Sequence, residues 1–141
     1  MIVLDTSVLR EPLNALPDPD VLEWLTDSTD VVSITCVSVG ELLTAVRMLP
    51  AGPRRDGLKA AIERTLTAFA DHVLPYDEPA ARIYAQLQES RRMAGLELTV
   101  EDGMVAAICL TRGARLATHN VAGFQGLGVE LISPWKVLTL H

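Results

Sequence analysis

Three acids stand out by position: Asp5, Glu41 and Asp102. Asp5 ends the apolar run Ile2-Val3-Leu4. Glu41 falls in the first turn of the helix expected after a second strand, and Asp102 in the first turn of the helix leading to a fourth. Thr118 and Asn120 close that fourth strand with two neutral oxygen-bearing side chains. Carboxylates gathered in a low-dielectric pocket repel one another, and some protonate unless a cation joins them. Oxygen donors without His or Cys suit Mg²⁺ or Mn²⁺ better than zinc. Mg²⁺ keeps several waters and takes only one or two carboxylates, which leaves an activated water as the candidate nucleophile and a phosphodiester as the natural substrate.

Each residue also has a purely structural reading. Ser38-x-x-Glu41 and Thr99-x-x-Asp102 both fit a capping box, and Asp5 fits the start of an Asx turn. Thr6 and Ser7 are placed either to bond to the Asp5 carboxylate or to cap a helix. Glu101 is a further ligand or a solvated first-turn acid, and His119 a phosphate contact, a proton carrier or a surface strand end. Arg47, Arg54, Arg55, Lys59 and Arg64 form a basic stretch that either guides a polyanion or coats solvated helix faces. The acids favour a site because all three fall on one expected edge of the fold.

That edge follows from the alternation of apolar patterns. Short apolar, largely β-branched runs at 2–4, 31–34, 72–75, 115–118 and 129–132 read as five strands. Between them, 19–27, 39–49, 54–70, 78–94 and 101–111 carry core spacing at three to four residues and read as helices. Leu49-Pro50-Ala51-Gly52-Pro53 is a loop that stops a helix and divides no domains. Strands alternating with helices predict an α/β fold, a parallel sheet covered on both faces. Sites in such sheets lie beyond the carboxyl ends of the strands, at the switch in strand order.

Composition narrows the field. The 141 residues suffice for one domain, expected to span 1–141. A net charge of −6 argues against gripping nucleic acid over a broad surface, which needs many Lys and Arg contacts to phosphate. It leaves room for a basic partner and for a cation-loaded acidic pocket. No apolar run is long enough to span a bilayer, and the N-terminus lacks the charge pattern of a signal peptide, so a cytoplasmic location is expected. Cys36 and Cys109 each sit in an apolar run and read as two small buried hydrophobes.

At this point the residues resemble a family. Met1 to Leu9 resembles the opening of a PIN-domain protein, and Gly40-Glu41-Leu42 its second acidic motif. Glu101-Asp102-Gly103-Met104-Val105-Ala106-Ala107 resembles the third. Ala117-Thr118-His119-Asn120, Phe124, and Gly128 to Trp135 resemble its C-terminal end. Together the motifs cover nearly the whole chain in the right order, and the length and closing Pro134-Trp135 are most similar to VapC-type toxins. The resemblance implies a three-layer α/β/α domain with a five-stranded parallel sheet. It implies an Mg²⁺- or Mn²⁺-dependent endoribonuclease, the toxin of a type II toxin–antitoxin pair. It also implies a homodimer restrained by a cognate VapB-like antitoxin, whose C-terminal segment occupies the active-site groove.

Asp5, Glu41 and Asp102 match the family's first three acids. On this basis Asp5 and Asp102 bind metal, Glu41 binds metal or orients water, and Thr6, Thr118 and Asn120 support them. Many relatives carry a fourth acid where this chain has Gly123, and an Arg where it has His119. The missing acid motivates the alternative: a catalytically weakened module that acts through its antitoxin complex. A phosphatase with Asp5 as nucleophile fits less well, because the second acid of its Asp-x-Asp pattern is here Ser7. The RNA cut, the number of metals and the antitoxin's identity are not legible.

Overall fold

In the computed structural model, residues 1–135 are described; positions 136–141 of the expected domain lie outside the described residues. Five strands form one sheet in the order β3-β2-β1-β4-β5, with β1 at Ile2–Leu4, β2 at Val32–Thr35, β3 at Val73–Leu74, β4 at Arg115–Ala117 and β5 at Leu131–Ile132. Every pairing is parallel; Ile2 stands opposite Val32 on one side and Arg115 on the other. β1 is buried along its whole length because it is flanked by strands and covered by helices on both faces.

Among the described residues, seven α-helices connect and cover the strands: α1 (Thr6–Arg10), α2 (Pro19–Asp27), α3 (Cys36–Arg47), α4 (Pro53–Ala68), α5 (Glu78–Met93), α6 (Val100–Arg112) and α7 (Val121–Phe124). One core packs Val105, Ile108 and Cys109 of α6 against Val3, Leu116 and Phe124. The other packs Leu4, Ile34 and Ala117 against Val8, Val21, Leu42 and Ile62. The two apolar layers make the α/β/α sandwich expected from the strand and helix alternation.

The long elements fall where their periodicity places them, and the differences are local. α3 starts at Cys36, three residues before the expected boundary, because the Thr35 side chain caps it by accepting from the Ser38 N–H at 3.2 Å. Ser38 is therefore inside the helix and not its cap, and Glu41 stands in the second turn instead of the first. The same shift puts Cys36 on the exposed helix start, so only Cys109 is the buried hydrophobe expected of both cysteines. Burial pushes the Cys109 thiol up to about 12. Helices α1 and α7, of five and four residues, were not anticipated. Both are too short to show a helical period. No helix among the described residues is long and apolar enough to cross a membrane.

Candidate active site

Strand order reverses between β1 and β4, and the first residue beyond each strand is polar and buried: Asp5 and Thr118. The Thr118 hydroxyl donates to Asp5 Oδ2 at 2.8 Å, across the switch point. Thr118 is also held from behind, since its Oγ1 accepts from the Asn120 N–H at 3.0 Å. Ser7 Oγ approaches the same carboxylate oxygen at 3.5 Å and accepts from the His119 N–H at 3.1 Å. The Asp5 carboxylate is thus fixed by chain segments from β4 as well as its own.

The Thr6 side chain turns the other way. Its hydroxyl donates to Glu41 Oε1 at 2.8 Å and lies 2.8 Å from Ser38 Oγ. This chain of oxygens joins α1 to α3 and brings Glu41 beside Asp5, although Glu41 is a turn further along its helix than expected. Asp102 sits in the first turn of α6, where Thr99 is the N-cap and accepts from the Asp102 N–H at 3.2 Å. Thr99 and Asp102 therefore hold the capping positions expected of them, and the carboxylate is half-buried at the same sheet edge. Asn120 caps α7 by accepting from the Gly123 N–H at 3.2 Å.

The Asp5 charge reaches both other acids. Burial raises the Asp5 pKa above the ordinary Asp value, against the opposing Thr118 hydrogen bond. Glu41 is also raised, first by burial and then by the Asp5 charge and exposed Glu101, while the Thr6 hydrogen bond and Arg10 oppose this. Asp102 is raised by burial, by Asp5 and by Glu101, with Thr99 and Arg91 opposing. Three carboxylates raised in concert mark a site that disfavours its own negative charge. The donors are all oxygens, which fits a hard divalent cation. Among the described residues, no three His, Cys, Asp or Glu side chains close into a ready-made metal cage.

A stability prediction follows from the raised values. An acid whose folded pKa exceeds its unfolded one binds more protons when folded, so its contribution falls as pH rises through that window. Asp5→Asn keeps an acceptor for Thr118 and removes the charge. In EDTA the variant is expected to melt above the wild type at neutral pH, and the gap is expected to shrink as pH falls through the raised Asp5 range. A gap that stayed constant with pH in thermal melts would refute the electrostatic origin.

Two residues went unassigned in the sequence. Arg91 is buried at the end of α5. Its guanidinium donates to the carbonyls of Glu97 at 3.1 Å, Gly123 at 3.0 Å and Gln125 at 2.7 Å, tying the α5–α6 loop to the α7 segment. The only sequence signal is an Arg on the helix face shared with Leu87, four residues back. Trp135, seen before only as part of a resemblance, stacks on His119 with ring centroids 4.2 Å apart and planes 18° from parallel.

Gly123 has a structural consequence of its own. A Cβ at this position would come within 2.3 Å of Asn120 Nδ2, so any side chain here, an acid included, requires Asn120 to move from its capping position. The basic stretch divides. Arg54 and Arg64 join Arg10 around an open groove of about 830 Å³ between α1, α3 and α4, floored by Leu42, Leu58 and Ile62, whereas Arg47, Arg55 and Lys59 do not line it.

Comparison with known proteins points to one family. The PIN domain model matches residues 2–125. VapC ribonuclease Y4jK of Sinorhizobium fredii is 35% identical over 138 residues, covering 96% of this chain and 99% of the relative. Toxin FitB of Neisseria gonorrhoeae is 36% identical over the same length, with the same coverage. The solved structure of FitAB bound to the IR36 DNA fragment contains a chain that superposes with a TM-score of 0.91 at 33% identity, covering 100% of both chains. A match over most of the residues, full-length relatives and a superposable fold have one meaning: the chain belongs to the PIN domain family.

Proposed function

We propose that this protein is a divalent-metal-dependent endoribonuclease, the toxin of a type II toxin–antitoxin pair, acting in the cytoplasm. The observation that carries the reading is the Asp5 carboxylate, buried at the switch point, fixed by Thr118 and electrostatically coupled to Glu41 and Asp102. Asp5 and Asp102 would hold Mg²⁺ or Mn²⁺. Glu41, steadied by Thr6, would hold the ion or orient the attacking water. A bound divalent cation supplies Lewis-acid polarisation of the phosphate and acidifies water. The chain's own residues do the rest. Thr118 and Ser7 set the direction of the Asp5 oxygens, and Asn120 steadies Thr118 through its backbone N–H. A relative named as a VapC ribonuclease and another named as a toxin support both activity and role.

The FitAB relative bound to DNA supports a partner protein and a DNA-bound complex. An antitoxin's C-terminal segment would occupy the active-site groove at Asp5, Glu41 and Asp102, none of which lines the separate groove rimmed by Arg10, Arg54 and Arg64, with a homodimer as the toxin's own assembly. Gly123 in place of a fourth acid and the open ligand geometry favour a second reading, a binding module with little or no catalysis. Cleavage of total cellular RNA by antitoxin-free protein separates the two. Discrete fragments with Mg²⁺ or Mn²⁺ that disappear in EDTA are expected. Intact RNA under every metal condition would leave the binding module as the better account.

A further inference from the structure

The rim of the acid site carries an aromatic feature that the catalytic reading does not use. His119 is exposed, yet its ring is held in place. Trp135 covers one face at 4.2 Å and nearly parallel, and Trp135 packs in turn against the apolar core that contains Leu4, Ile34 and Ala117. Two neighbours fix the backbone there: the His119 N–H donates to Ser7 Oγ, and the Thr118 N–H donates to the Ile132 carbonyl at 3.0 Å. The ring therefore stands one residue from Thr118, whose hydroxyl holds Asp5, and remains exposed to solvent.

A flat ring, pre-ordered on a second ring beside the place a phosphate would occupy, has the properties of a stacking platform. Unpaired bases stack on His and other aromatic faces, and this is sequence-tolerant because every base has a π-face. Ordering the imidazole in advance removes rotamer entropy that binding would otherwise cost. A phosphate contact would use the ring's nitrogen edge and has no need of a tryptophan beneath it. A net charge of −6 disfavours holding RNA by many phosphate contacts alone, which raises the worth of a stacking contact.

We propose that His119, backed by Trp135, is a base-stacking subsite that receives the unpaired RNA base next to the scissile phosphate. The proposal rests on the nuclease reading for the position of that phosphate, but its test does not. Affinity for a short fluorescein-labelled single-stranded RNA of mixed sequence would be measured by anisotropy in EDTA, over a salt series, for wild type, His119→Ala and His119→Phe. His119→Ala is expected to weaken binding about tenfold, in line with the stacking energy of one base. His119→Phe is expected to stay near wild type, and the salt slope to be the same for all three.

Equal losses in Ala and Phe, no loss in Ala, a salt slope reduced by about 0.7 in Ala, or no RNA binding by wild type would each overturn the proposal. Metal-dependent cleavage, assayed separately, judges the nuclease reading. Cleavage with unchanged RNA affinity in His119→Ala would remove the platform and keep the nuclease. The expected affinity pattern without any cleavage would do the reverse.

Discussion

Asp5→Asn is expected to lower metal-dependent RNA cleavage by at least about a thousandfold, the equivalent of roughly 4 kcal/mol of transition-state stabilisation. The substitution is close to isosteric, so the loss would report charge and metal affinity instead of folding. Asp5 should be the most sensitive position because it is the buried member of the three acids and the one whose charge reaches both others. Thr118→Val should cost less, about 10- to 100-fold, because it frees the Asp5 carboxylate to rotate without removing it. Single-turnover cleavage at saturating Mn²⁺ would rank the two variants. Asp5→Asn retaining more than a tenth of wild-type activity would remove Asp5 from the centre of the chemistry.

Arg91→Ala is expected to destabilise the fold by about 3 kcal/mol, lowering the melting temperature by about 10 °C. The guanidinium is a buried cation that donates to the carbonyls of Glu97, Gly123 and Gln125. Its removal strands three acceptors and releases the α7 segment from α5. Arg91→Lys should rescue little, because an ammonium is a point donor and cannot span three carbonyls as a planar fork does. Activity should fall with the stability loss, since Asn120, which steadies Thr118, caps that same segment. A melting temperature within about 2 °C of wild type would show that water replaces the guanidinium without cost.

Much of the fold was written locally. The apolar periods of β1, α2, α5 and α6 mark which face of each is buried, and a parallel sheet follows from their alternation. The position of each acid relative to its element then fixed the sheet edge on which Asp5 and Asp102 fall. The start of α3 was not fixed, because Thr35 and Ser38 both satisfy the local rule for a cap. The decision came from outside the helix: the Ser38 hydroxyl lies against Thr6 of α1, thirty-two residues earlier in sequence.

The same limit applies to the contacts that build the candidate site. Thr118 reaches Asp5 across 113 residues, Thr6 reaches Glu41 across 35, and Arg91 reaches Gln125 across 34. A polar side chain's own neighbours do not encode which distant oxygen it will meet, because that depends on strand order and on how the layers stack. By itself, then, the sequence determined the residue types, the order of elements and the edge that gathers them. Only the tertiary structure decided the hydrogen-bonded chain through Thr6, the carbonyl clamp of Arg91 and the His119–Trp135 stack. Each joins groups that are remote in sequence, so each forms only once the strands and helices have docked and brought the partners within reach.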